Sequence, residues 1–228
     1  MNRKIFRFSM MLLLPASIFV GSFPADLMLK ERYVYACRQH TDINEHVPVL
    51  RSLARECCSV VEVELGPMVS TWGILQGLGE SSCASPSYLG IAREPPSQLL
   101  SVKALADASG ISFKFLQGSA LTIDIEPADM LFLDSLHTYC QLLHELKKFS
   151  PKICKYIALH DTSAPWGFTD DDAYKGNYAE YPAEYDRSKR GLWAAVEDFL
   201  IQHPEWILFE HHFHNHGFTI LKRIADSQ

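Results

Sequence analysis

Two hydrophobic periods alternate along most of the chain. Short apolar or β-branched runs at 58–63, 87–91, 112–116, 128–134 and 155–161 predict buried strands. Between them, apolar positions recur at helical spacing. Residues 44–55 predict a helix with Asn44 as cap, Pro48 in the first turn, and Val47, Leu50, Leu53 and Ala54 on one face. A Gly66-Pro67 turn leads into a helix over 69–79 with Trp72, Leu75 and Leu78 inward. Further helices are predicted over 96–108, ended by Gly110, over 137–149, stopped by Pro151, and over 191–202. Two last strands, 206–213 and 218–224, are joined at Asn215-His216-Gly217. Strands that alternate with helices pair in parallel through right-handed crossovers, whereas strands joined by a tight turn pair antiparallel. The expected fold is α/β: a mostly parallel sheet with helices on both faces and a C-terminal antiparallel hairpin.

Three stretches break the alternation. Asn2-Arg3-Lys4 precedes an uncharged run from Phe8 to Phe23, interrupted by Pro15. That run is short for a membrane span and suits a signal-peptide core, with Val20-Gly21-Ser22 as a cleavage site. Residues 1–25 are thus expected to be a signal or anchor segment, with membrane contact through residues 5–23. The alternative is a start at Met10, Met11 or Met28. The protein is expected to be exported or anchored in the first case and cytoplasmic in the second. Residues 26–43 are mixed and predict a linker with a short helix. The domain proper is expected over 44–228. Within it, residues 162–190 lack periodicity but carry Trp166, Tyr174, Tyr178, Tyr181 and Tyr185, which predicts an ordered lid loop.

The chain has 228 residues, enough for one domain with a sizeable core. A net charge of −6 without a basic stripe excludes nucleic acid as the expected partner. The six cysteines form no C-x-x-C pair and are expected to be small buried thiols in a reducing compartment, Cys140 and Cys154 within buried elements.

In a sheet of this kind ligands sit beyond the carboxyl ends of the strands. Asp134 closes one apolar run and His160-Asp161 closes the next, so a site is expected there. His137 follows closely as a candidate general base or merely a first-turn helix residue. Glu62 and Glu64 end the first strand. The histidines at 211, 212, 214 and 216 belong to the hairpin, which is expected to lie far from the other strand ends. Asp170–Asp172 is expected to be a solvated run.

The residues Val60-Val61-Glu62 followed by Met68-Val69-Ser70-Thr71-Trp72 resemble the first motif of class I S-adenosylmethionine-dependent methyltransferases. Leu89-Gly90-Ile91 resembles the second-strand motif. Asp134-Ser135-Leu136-His137 and Leu159-His160-Asp161-Thr162 resemble the branch that contains cephalosporin-hydroxylase-like and sugar O-methyltransferase proteins. The resemblance runs over residues 45–224 and implies a Rossmann-like sheet. It implies S-adenosylmethionine over the first two strands, near Glu62, Glu64, Gly66, Ser70, Gly90 and Ala92. It also implies a divalent cation, Mg²⁺ or Mn²⁺, on Asp134, His160 and Asp161, with Asp134 and His137 as the catalytic pair. The sequence departs from the pattern where Ala92 replaces the acid that accepts the ribose hydroxyls and where Gln117-Gly118-Ser119-Ala120 holds no acid near the adenine; in the first loop, either Glu64 replaces a glycine or Glu64-Leu65-Gly66 is the acid-x-glycine motif with its register shifted by two. The implied activity is metal-assisted O-methylation of a small hydroxyl substrate, such as a sugar. Two alternatives stand beside it: a non-catalytic binding protein on the same fold, and a metal-dependent enzyme of the branch that uses no S-adenosylmethionine. A third possibility concerns the cluster alone, with His160 protonated between two carboxylates and no ion.

Overall fold

The computed structural model of the chain describes residues 24–174 and 180–224. The apolar run before Pro24 lies outside the described residues. Seven strands form one sheet in the order β3-β2-β1-β4-β5-β7-β6. They are β1 (Ser59–Val63), β2 (Ser87–Ala92), β3 (Ser112–Gln117), β4 (Ala128–Leu133), β5 (Ile153–His160), β6 (Trp206–His212) and β7 (Phe218–Arg223). The first five run parallel, and β7 lies antiparallel between β5 and β6. Predicted strands and observed strands agree to within a residue or two at each end.

Helices cover both faces. α1 (Ala25–Ala36), α2 (Val47–Ala54), α3 (Val69–Glu80) and α4 (Leu99–Ala108) enclose one apolar cluster with the sheet. α5 (Tyr139–Phe149) and α6 (Leu192–Gln202) enclose the other. α2 and α3 approach closely because α3 carries glycines on the contact face. A Cβ at Gly73 or Gly77 would lie 2.6 or 2.3 Å from the backbone oxygens of Val47 and Arg51.

Residues 26–43 are not a linker. α1 buries Leu29 and Ala36 against the core, and Ile43 is buried as well. Leu29, Tyr33 and Ala36 recur at helical spacing, and Tyr33 packs beneath the Arg51 guanidinium of α2. The segment then crosses the carboxyl edge of the sheet, where the Asp42 carbonyl accepts a hydrogen bond from His160 Nε2 at 2.8 Å.

Two further expectations are corrected. Cys58 and Cys83 are joined in a disulfide between the strand starts of β1 and β2, so they are not free thiols. Of the rest, Cys57 and Cys140 are buried and Cys154 is exposed on β5. Asp170 is not solvated. It is buried, and its Oδ1 accepts the backbone N–H of Tyr139 at the start of α5 and that of Gly191. That supplies the α5 N-terminus with a carboxylate, alongside the Thr138 side chain that accepts from Gln141 N. The described parts of 162–190 pack down on α5. Tyr181 donates to Gln141 Oε1 at 2.6 Å, and Asp171 N donates to the His137 carbonyl.

Candidate active site

β4 and β5 are neighbours in register, Leu133 beside Leu159, so the residues that follow them emerge together. Asp134 leaves β4 with its N–H still donating to Val63 O. His160 is the last residue of β5 and Asp161 follows it. Successive residues of a strand face opposite sides. The chain avoids that separation here because Asp161 adopts a left-handed conformation, φ +59°. Its side chain turns back toward the side that His160 occupies. A non-glycine residue held in this region costs about 1–2 kcal/mol, so the turn is enforced by its surroundings.

One oxygen atom or ring nitrogen from each of Asp134, His137 and Asp161 lies within 4.8 Å of the others. His137 Nε2 is 2.9 Å from Asp161 Oδ2. Cis ligand atoms of an octahedral ion with bonds of about 2.1 Å sit roughly 3 Å apart, so this spacing accommodates a cation. His137 Nδ1 is buried with no hydrogen-bond partner, and the nearest carboxylate oxygen is that of Asp171 at 4.0 Å. The ring stacks on Trp166 at 5.5 Å. Burial alone would lower the His137 pKa, but the hydrogen bond and charge of Asp161 raise it above the ordinary value.

His160 lies beneath these groups, almost wholly buried. Its Nδ1 is 3.1 Å from Asp134 Oδ1 and 3.3 Å from Asp161 Oδ2. Its Nε2 faces two carbonyl oxygens, those of Asp42 and Asn215, at 2.8 and 3.3 Å. Carbonyl oxygens only accept, so Nε2 carries a hydrogen. Nδ1 then points at two acceptors, and a positive charge must sit between them: a proton on the ring or a cation in its place. Burial opposes the charged ring, but the Asp134 and Asp161 carboxylates raise its pKa well above the ordinary value. The same histidines hold the Asp161 carboxyl below its usual range, against the effect of burial.

The hairpin is not remote from this cluster. β7 runs antiparallel to β5, with Phe218 opposite His160, so the 213–217 turn falls at the carboxyl edge of the sheet. His216 Nδ1 reaches Asp161 Oδ1 at 3.1 Å. His46, wholly buried, holds the turn by donating through Nε2 toward the His214 and Asn215 carbonyls. Burial pushes its pKa down to about 4, and the His160 charge acts in the same direction.

The residues placed near a cofactor divide into two sets. Glu62 and Ser70 face each other inside the fold. Glu62 is fully buried and accepts hydrogen bonds from Ser70 Oγ, Thr71 Oγ1 and Tyr88 Oη. This ties β1 to α3 and β2, so Glu62 shapes the β1–α3 loop from within. Gly90 and Ala92 are buried too, Gly90 under Leu65. Glu64 and Gly66 face outward. The loop places Glu64, Gly66 and Met68 at φ +59°, +45° and +62°. That is a glycine-type path with side chains at two of its three positions. Open space adjoins Gly66, where an added Cβ would meet nothing within 4 Å. Glu64, Arg93, Asp134, Ser135, Leu136, His137, Asp161, Asp42 and Tyr174 line a cleft of about 270 Å³. A larger cavity of about 410 Å³ opens at the opposite edge, by Ser59, Ser87 and Ser112, away from the polar strand ends.

The fold is that of class I methyltransferases. An O-methyltransferase from Bacillus cereus in complex with SAH superposes with a TM-score of 0.56 at 11% identity, over 91% of this chain and 94% of that one. A SAM-bound O-methyltransferase of tomaymycin synthesis from Streptomyces achromogenes gives 0.54 at 13% identity, over 92% and 93%. An SAH-bound methyltransferase from Podospora anserina gives 0.53 at 14% identity, over 86% and 88%. No protein-family model matches the chain, and no curated protein matches it in sequence.

Proposed function

We propose that the protein is a cation-assisted, S-adenosylmethionine-dependent O-methyltransferase that acts on a hydroxyl of a small molecule. The observation that carries this reading is the convergence of Asp134, His137 and Asp161 at the carboxyl edge of a methyltransferase-fold sheet, beside the cleft that runs to β1 and β2. The donor set fits a divalent cation: two carboxylates, with the imidazoles of His137 and His160 beside them. His160 supports it from below, either as the further ligand its Nδ1 position allows or as the cationic partner of both acids. The cofactor side fits through the β1–α3 loop, whose glycine-type path lets backbone approach a ligand at Gly66. Glu64 is the outward carboxylate available there, since Ala92 offers none.

Bound at these positions, the cation would supply Lewis acidity to a coordinated hydroxyl, and S-adenosylmethionine would supply the methyl group. The chain's own part is orientation. Asp134 and Asp161 would hold the cation, and through it the acceptor oxygen, at the ends of β4 and β5, while the β1–α3 loop would hold the donor at the ends of β1 and β2. With His160 Nδ1 as the imidazole ligand, His137 Nε2 would be left free of the cation and would take the hydroxyl proton in place of its hydrogen bond to Asp161. Trp166 stacked on the His137 ring shields that edge from water.

Calorimetric titration with S-adenosylhomocysteine tests the cofactor half. Saturable binding is expected. Without the ribose acid the affinity should fall about 1.5–3 kcal/mol, or roughly ten- to a hundredfold, below that of a site that has it. Ala92→Asp should tighten it. A wild type and a variant that both give no heat, with and without Mg²⁺, contradict the reading.

A further inference from the structure

We infer that His216, at the tip of the β6–β7 hairpin, is a positioning residue that orients Asp161 for cation binding. The inference rests on the cation reading above and adds a residue that the strand-end motifs do not contain.

A carboxylate serves a cation best when its ring of acceptor sites is divided, with one oxygen held by the protein and the other turned to the ion. Asp161 is divided in this way. Oδ2 faces His137 Nε2 at 2.9 Å and His160 Nδ1 at 3.3 Å, on the side of the three-residue cluster. Oδ1 faces His216 Nδ1 at 3.1 Å. Asp161 is 2% exposed, so water does not compete for either oxygen.

The hairpin tip is built to hold this contact. His216 has φ +65°, between Asn215 at +46° and Gly217 at +95°. Three successive left-handed residues make a turn that persists only where it is fastened. The His216 carbonyl accepts from Ser163 N at 2.7 Å, just past Asp161. The Asn215 carbonyl faces His160 Nε2 and His46 Nε2, each at 3.3 Å. Gly217 packs so closely on Ser163 that a Cβ there would lie 2.4 Å from its backbone nitrogen. The His216 ring lies nearly parallel to that of His160, 2° between planes at 6.4 Å. About half of its side chain is exposed, at the mouth of the site. Backbone contacts thus fix the tip without the imidazole, and the ring's contact with Asp161 is separable from the fold.

The test uses the full chain and Mn²⁺ as the probe, with binding followed by the loss of the free-ion EPR signal. His216→Gly removes the ring and tolerates the left-handed backbone. His216→Asn keeps a donor at a similar reach and also tolerates that backbone. His216→Gly should weaken Mn²⁺ binding about ten- to a hundredfold, the usual cost of losing an outer partner of a ligand. His216→Asn should recover wild-type affinity to within about threefold of it, on the same scale. Melting without metal should not fall in either variant, and any rise in His216→Gly reflects relief of a left-handed side chain. Wild-type affinity in His216→Gly, or an Asn variant as weak as Gly, overturns the inference while leaving the cation reading intact. A wild type that binds no Mn²⁺ overturns both.

Discussion

At the scale of residues, the site depends on positions whose backbone is unusual. Asp134 and Asp161 were visible in the sequence because each carboxylate closes an apolar run with no other polar relief. That His160 and Asp161 act on one cluster is implied by the family resemblance against the alternation of a strand, and the left-handed turn at Asp161 is what reunites them. The reach of His216 follows from topology that periodicity does not show: β7 returns antiparallel along β5, so it begins where β5 ends. Glu64 shows the converse case. Its φ of +59° belongs to a glycine, and it faces the cleft without filling a core position. Glu64→Gly should therefore stabilise the protein by about 1 kcal/mol, by removing the left-handed penalty of a side chain. Chemical denaturation reads this directly, and a loss of stability would mean that the Glu64 carboxylate makes contacts worth more than the strain. Met68, at φ +62°, is wholly buried, so glycine there gives up packing and should not show the same gain.

At the scale of elements, the strands of the described residues were legible for two reasons: the central parallel strands β1, β4 and β5 are near-continuous apolar runs because both of their faces are covered, and the β6–β7 pair is set off by its tight turn. α1 shows no apolar stripe in the sequence because its apolar residues run all round the helix: Leu27, Met28 and Tyr35 are exposed while Leu29 and Ala36 are buried. The position of Glu62 was legible and its work was not: periodicity cannot show that Ser70, Thr71 and Tyr88 converge on a carboxylate between β1, α3 and β2. Burial pushes the Glu62 pKa up to about 7 against the three hydroxyl donors, and Glu145, buried in α5, is pushed up to about 7 in the same way. A carboxyl group whose folded value lies above its unfolded one binds its proton more tightly in the native state. Its contribution is present below the unfolded value and is lost as pH rises through the folded one. Stability should therefore decline between roughly pH 4.5 and 7 by up to about 1.4 kcal/mol per pH unit for each group. Glu62→Gln should flatten that slope, as the hydroxyls can turn to suit an amide. Urea unfolding at pH 5 and pH 7.5 compares the two proteins, and parallel pH dependences would show that Glu62 is charged throughout.

At the scale of the whole molecule, the chain forms one α/β unit whose boundary lies earlier than the periodicity implied. α1 and the segment to Ile43 close one core and form a wall of the site through the Asp42 carbonyl. A chain that begins at Pro24 should melt cooperatively near the full-length temperature. One that begins at Asn44 should lose several degrees or aggregate, since burying side chains such as Leu29 is worth about 1.5–3 kcal/mol each. Circular dichroism melts of the two decide this, and equal melting would return the segment to the status of a linker. The Cys58–Cys83 bridge ties the β1 and β2 starts across a sequence separation of 25. Disulfides persist in oxidising environments. No helix among the described residues is long and apolar enough to cross a membrane. The site spans β4, β5, the hairpin and the 40–46 segment, so a ligand bound there should stabilise the molecule as a unit. The most direct test of the account is the melting temperature of the full chain in EDTA and in millimolar Mn²⁺ or Mg²⁺, beside that of Asp134→Asn. The account predicts a rise with cation in the wild type and none in the variant. Equal melting in EDTA and in cation, with no metal retained by the protein, would contradict it and leave His160 as a protonated bridge between two carboxylates.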